Sequence, residues 1–123
     1  IVPIHIDQDM RKVQTVLGTL LLEDVNVVSD EDDKTYFVDK DLLKFPITVR
    51  PWRKGDYFYP FGMTGRKKLS KYFKDEKYSL IDKERTLVLC SADDIIWIIN
   101  ARGDNRYRVS KNTENILKIT LES

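Results

Sequence analysis

The stretch "ERTLVLCSADDIIWIIN" (residues 84–100) decides the fold class. It holds two apolar runs joined by the polar "SADD", the signature of a β-hairpin closed by a short turn. The second run, "IIWII", is apolar at every position, so both of its faces should be covered and the strand should lie centrally in a sheet. Cys90 ends the first run, where a buried structural thiol is the expected reading.

Working outward, "ILKITLE" (116–122) alternates cleanly and "YRVS" (107–110) is β-rich, so both read as strands. Upstream, "TLLLEDVNVV" (19–28) and "KTYFVD" (34–39) read as strands, while residues 8–18 fit helix or strand. "FPITVRPW" (45–52) is β-branched but carries two prolines, which predicts an edge strand or one with a break. "KGDYFYPFGMTG" (54–65), with three glycines and a proline, is a turn-rich loop, and Thr64 is a plausible N-cap for a helix after it. Six to seven strands and one or two helices make an α+β domain, mostly antiparallel and sandwich-like.

A chain of 123 residues suits a single domain, and 41% hydrophobic with 11% aromatic content is that of a globular one. No apolar run approaches the length needed to cross a bilayer as a helix. The opening "IVPIHIDQDM" has neither a signal-type pattern nor an initiator methionine, as expected for a piece of a longer chain. One cysteine excludes an internal disulfide and points weakly to a cytoplasmic setting. A single histidine, His5, offers no metal site and little acid–base chemistry, so no catalytic residue and no metal ligand is assigned.

The net charge of +1 hides an asymmetry. Residues 1–49 hold 5 Lys/Arg and 10 Asp/Glu, net −5; residues 50–86 hold 11 and 5, net +6; residues 87–123 hold 5 of each. The acidic run "SDEDDK" (29–34) reads as an exposed turn. Placed on a helix, residues 66–74 align Leu69, Tyr72 and Phe73 on one stripe, with Lys67, Lys71 and Lys74 opposite and Lys68 on the flank. No acidic residue occurs between Asp56 and Asp75, so these lysines repel one another without compensation inside the segment. A phosphate-bearing partner and a plain solvated face are both open readings of that surface. Arg50, Arg53 and Lys54 add cations upstream, as do Arg66 beside the helix and Arg102, Arg106 and Arg108 downstream. The interleaved Trp52, Tyr57, Phe58, Tyr59 and Phe61 suit core packing first and base stacking second.

"VDKDLLKFPITVRPWRKGDYFYPFGMTGRKKLSKYFKDEKYSLIDKE" (38–84), followed by "IIWIINARGDNRYRV" (95–109), resembles the C-terminal domain of bacterial tRNA(Ile)-lysidine synthetase. The pattern is carried by Arg50 or Arg53, Gly55-Asp56, Phe58, Pro60, Gly62-Met63, Gly65, Lys67-Lys68-Leu69 and Tyr72-Phe73, then by Trp97, Arg102, Asp104 and Arg106. It departs at "KYS" (77–79), where Lys-Ile/Val-Pro is usual, and at Ala101, where Gly is usual. The resemblance spans residues 36–121, so residues 36–123 are assigned to that domain and 1–35 to an upstream segment or subdomain edge.

The resemblance implies a non-catalytic tRNA-recognition domain of an ATP-dependent ligase that converts the wobble cytidine of an isoleucine tRNA with a CAU anticodon to lysidine. ATP and Mg²⁺ would belong to a catalytic domain outside this chain, since the five glycines at 18, 55, 62, 65 and 103 are nowhere adjacent and form no Ser-Gly-Gly-x-Asp-Ser nucleotide loop. The implied partners are the acceptor-stem region of tRNA and the catalytic domain of the same polypeptide, with no membrane. Arg50, Arg53, Lys54, Arg66, Lys67, Lys68, Lys71, Lys74, Arg102 and Arg106 are the candidate tRNA contacts. Gly62 and Gly65 are candidates for close backbone approach. The second reading is a protein–protein interaction module that docks on a catalytic or acidic partner domain.

Overall fold

The computed structural model describes residues 3–29 and 31–123, so Asp30 of the acidic run and the first two residues of the upstream segment lie outside the described residues. Two sheets stack face to face. The first contains β1 (Ile4–Ile6), β5 (Ile47–Pro51), β8 (Leu87–Ser91), β9 (Asp94–Ile98) and β10 (Arg102–Gly103), in the order β1-β5-β8-β9-β10. The second contains β2 (Lys12–Thr15), β3 (Gly18–Val25), β4 (Thr35–Asp39) and β11 (Ile116–Glu122), in the order β2-β3-β11-β4. A two-stranded ribbon, β6 (Tyr57–Phe58) and β7 (Lys67–Lys68), leads into α1 (Leu69–Asp75), and α2 (Leu80–Glu84) follows. Every strand pair is antiparallel, as the sequence pattern predicts for this α+β domain.

The sandwich core lies between the sheets and holds Ile47, Val49, Leu87, Leu89, Ile96 and Trp97 from the first sheet against Leu20, Leu22, Tyr36, Val38, Leu117 and Ile119 from the second. A smaller core covers the outer face of the first sheet, where Val88, Cys90, Ile95 and Ile98 meet Phe58, Leu69, Tyr72 and Phe73. That second cover explains why the 84–100 hairpin is apolar on both faces: residues 87–91 and 95–99 are all buried. The molecule is therefore three layers deep, sheet on sheet on helix, and the helix layer carries most of the basic segment.

The hairpin closes at Ala92–Asp93, with Ala92 in the left-handed region at φ 51°. Leu89 pairs with Trp97 and Cys90 with Ile95, so Ile96 is an extra residue on β9. The bulge places both Ile96 and Trp97 in the sandwich core, a break in strict alternation that the sequence pattern does not announce. Trp97 is 1% exposed and stacks on Tyr36 at 5.3 Å between centroids.

Three local readings need correction. β5 is an interior strand between β1 and β8, not an edge; Pro46 precedes it and Pro51 ends it, where a missing N–H disturbs no mid-strand pairing. "YRVS" is not a strand: Asn105–Tyr107 form a 3₁₀ turn capped by Asp104, and Arg108 makes one isolated bridge to Val38. The helix begins at Leu69 with no side-chain cap, so Thr64 is not its N-cap. Residues 67–68 are drawn instead into the ribbon, where Phe58 pairs with Lys67 and Tyr57 with Lys68, and the Leu69 N–H donates to the Asp56 carbonyl. Residues 4–25 supply three strands, β1 to the first sheet and β2 and β3 to the second.

Candidate nucleic-acid interface

The basic segment is held by two carboxylates, Asp56 and Asp104, which the sequence reading named as part of the family pattern without assigning them partners. Asp56 accepts both terminal nitrogens of Arg50, at 2.9 and 3.0 Å, and the Arg53 backbone N–H at 2.6 Å. The Arg50 and Asp56 side chains are 11% and 13% exposed, so this is a nearly buried bidentate pair. The hydrogen bonds from Arg50 to Asp56 hold its guanidinium above its ordinary pKa. The pair folds residues 51–56 back on β5 and sets the entry into the ribbon.

Asp104 is fully buried and has four donors. The Tyr59 N–H donates at 2.9 Å, the Arg106 N–H at 2.7 Å, and the Arg106 guanidinium through Nε and Nη2 at 3.0 Å each. Arg106 also pairs with Asp94 at 3.2 Å and lies over the Tyr59 ring at 4.3 Å. Burial works against the Arg106 charge, but the hydrogen bonds to Asp104 and the charges of Asp104 and Asp94 together outweigh it and its pKa is raised. Nearby, the Phe61 N–H donates to Gly103 O, and the Asn105 N–H to Tyr59 O. Gly103 leaves no room for a side chain, because a Cβ there would sit 2.7 Å from Tyr36 Cε1 and 2.9 Å from Phe61 Cζ. This explains the Arg-Gly-Asp spacing at 102–104: Gly103 admits the aromatics and Asp104 ties the 59–61 loop to β10.

The lysine face is also partly neutralised from within. Lys67 reaches Asp75 at 2.6 Å and Lys71 reaches the same carboxylate at 2.9 Å. Their hydrogen bonds pull Asp75 down to a pKa of about 2. The expectation that these lysines lack an internal counter-charge is therefore wrong: Asp75, at the end of the helix, bridges both. Lys67 is 18% exposed, whereas Lys71 is 62% exposed.

The ten candidate cations thus separate. Arg50, Lys67 and Arg106 are tied into the scaffold. Arg53, Lys54, Arg66, Lys68, Lys74 and Arg102 are exposed and make no ion pair among the described residues, and Lys71 is exposed despite Asp75. Arg66 lies over the Tyr57 ring at 4.6 Å, with Lys68 across the ribbon from Tyr57. Gly62 and Gly65 adopt φ of 75° and 78°, and nothing lies within 4 Å of a Cβ built on either. Their present requirement is the left-handed turn itself.

The aromatics sort in the same way. Phe58 is buried, Trp52 donates its indole N–H to Lys83 O at 2.8 Å and meets Phe73 edge-on, and Tyr59 lies under Arg106. Burial pushes the Tyr72 hydroxyl upward, and burial together with a hydrogen bond to Asp94 raises Tyr107 to about 12. Among the described residues no group of three His, Cys, Asp or Glu is placed to hold a metal ion, and no helix is long and apolar enough to cross a membrane.

Residues 47–120 match the model of the family described as the TilS substrate C-terminal domain. The chain belongs to this family. Within it, 88 residues are 50% identical to tRNA(Ile)-lysidine synthase of Parabacteroides distasonis, covering 72% of this chain and 20% of that protein. The corresponding protein of Caldanaerobacter subterraneus is 34% identical over 98 residues, 78% of this chain and 21% of that one. In Clostridium acetobutylicum the match is 27% identical over 122 residues, 97% of this chain and 26% of that one. The chain thus spans about a fifth of the length of these curated relatives. A crystal structure of a TilS C-terminal domain shares the fold, with TM-score 0.78 at 19% identity and 99% of each chain covered. The TilS-family match encloses β5 through most of β11, so both carboxylate locks and the whole ribbon lie inside it.

Proposed function

We propose that this TilS C-terminal domain is a non-catalytic tRNA-recognition module of a tRNA(Ile)-lysidine synthetase, gripping the acceptor-stem region while a separate domain modifies the anticodon. The supporting observation is the set of exposed cations with no ion pair among the described residues, Arg53, Lys54, Arg66, Lys68, Lys74 and Arg102, carried on the ribbon, the helix, the turns and β10. Arg50, Lys67 and Arg106 serve this surface from behind, by fixing the backbone that presents it. Duplex RNA is bound largely through its phosphates, 2′-hydroxyls and shape, which suits a cationic surface on a fixed scaffold. Lys71 joins the set, because an exposed i,i+4 pair with Asp75 contributes little and yields readily to a phosphate. ATP, Mg²⁺ and the ligase chemistry belong to the catalytic domain of the same polypeptide, in the cytoplasm.

The test is equilibrium binding of the CAU-anticodon isoleucine tRNA to the full-length protein across a salt series. Lys54→Ala and Lys74→Ala should each make the plot of log K against log salt shallower by roughly one unit or slightly less. Unaltered slopes in both variants would exclude a phosphate-contacting role. A second reading, docking on another protein domain, is favoured by Leu80 and Ile81, adjacent on α2 and 70% and 60% exposed. It predicts that Leu80→Ser with Ile81→Ser impairs the full-length protein while leaving tRNA affinity intact.

A further inference from the structure

We infer that the outer face of the β6–β7 ribbon is a stacking platform for one unpaired or end-exposed nucleobase of the RNA, with Tyr57 and Arg66 as the stacking pair and Lys68 on the flanking phosphate. This rests on the tRNA-binding reading and specifies what one part of that surface takes. In a two-residue strand, successive side chains face opposite ways, and cross-strand partners share a face. Phe58 and Lys67 therefore face inward, and they are the buried and 18%-exposed members of the ribbon. Tyr57 and Lys68 face outward together, and both are exposed. Arg66, two residues before Lys68, lies on the same side with its guanidinium 4.6 Å from the Tyr57 ring centroid.

A single exposed tyrosine is ordinary on a protein surface. Tyr57 differs from its neighbours in having no work inside the fold: Phe58 is buried, Trp52 is hydrogen-bonded to Lys83, Tyr59 is covered by Arg106, and Phe61 packs near Tyr36. Among the aromatic rings of the described residues, Tyr57 meets the edge of Tyr59, at 6.3 Å and 76°. A guanidinium laid over an aromatic ring makes a flat, cationic surface, which matches the π-face of a base and the charge of its phosphate. RNA-binding proteins take splayed bases on such surfaces. The cations at 66 and 68 select an anionic polymer rather than a neutral aromatic ligand.

The experiment measures affinity of the full-length protein for the CAU-anticodon isoleucine tRNA at several salt concentrations. Tyr57→Phe should bind within about two-fold of wild type. Tyr57→Leu, which keeps an apolar side chain but loses the ring, should bind about ten-fold more weakly at every salt, with the slope unchanged. Lys68→Ala should instead lower the slope by about one unit. Tyr57→Leu binding as tightly as wild type, while Lys68→Ala lowers the slope, would overturn the platform and leave the tRNA-binding reading standing. A weaker Tyr57→Leu complex with a shallower slope would also overturn it, by showing that the ring only positions cations. An unchanged slope in Lys68→Ala together with unchanged affinity in Tyr57→Leu would overturn the platform alone, whereas absence of wild-type binding to this tRNA at every salt would overturn the tRNA-binding reading with it.

Discussion

The Asp104 hub and the β6–β7 ribbon are both rich in arginine and lysine, yet they use charge in opposite ways. At the hub, Arg106 is bound through Nε and Nη2 to a fully buried carboxylate, whose other donors are backbone N–H groups of Tyr59 and Arg106. At the ribbon, Arg66 and Lys68 project outward with no acidic partner among the described residues. Burial makes the difference. A charge removed from water must be matched within the fold, whereas a charge left in water stays available to a ligand. Counting basic residues therefore overstates an RNA-binding surface, because some of the strongest cations are already occupied.

Removing one partner at the hub should have the largest effect. Asp104→Ala leaves the Arg106 guanidinium with Asp94 alone and strands the Tyr59 N–H, and is expected to lower unfolding stability by about 3 kcal/mol in denaturant titration. Lys68→Ala, by contrast, should stay within about 0.5 kcal/mol of wild type. Similar losses from both variants would erase the distinction between the two regions. Next in size is Gly103→Ala, whose added methyl must displace the Tyr36 and Phe61 rings. Overpacking of that kind should cost about 2 kcal/mol and shift the near-ultraviolet dichroism of the Tyr36–Trp97 stack.

The smallest effect lies at Asp75, which stands between the two behaviours because its lysines are paired but partly exposed. Its folded pKa is depressed from the ordinary 3.8 to about 2. A depressed carboxylate contributes its stability above the unfolded value and loses it as pH falls toward the folded value. The Lys67–Asp75–Lys71 bridge should thus be constant at neutral pH and fade between roughly pH 4 and pH 2. Carboxyl NMR should place the Asp75 midpoint near 2 and Lys67→Ala should raise it. A wild-type midpoint at the ordinary 3.8 would return Lys67 to the outward-facing set.

Local pattern carried much of this molecule. The 84–100 hairpin, the strand at 116–122, the buried Trp97 and Cys90, and the Leu69–Tyr72–Phe73 stripe of α1 are all legible, because each is written in the spacing of apolar residues along a few turns or a few pleats. The family pattern was legible too, because it consists of residue types in a fixed order. What spacing could not reveal was partnership. The ribbon has two residues per strand, too few to show a period, and its register is set by Phe58 entering the smaller core and by Leu69 N–H bonding to Asp56 O. Ile96 and Trp97 share a core only because a bulge intervenes. Arg50 meets Asp56 across a turn, and Tyr59 meets Asp104 across 45 positions of sequence. The sequence by itself determined that positive charge would gather in the middle third over an antiparallel scaffold. Only the tertiary structure decided which of those charges face water, since that depends on whether chain folding brings a carboxylate within reach before solvent does.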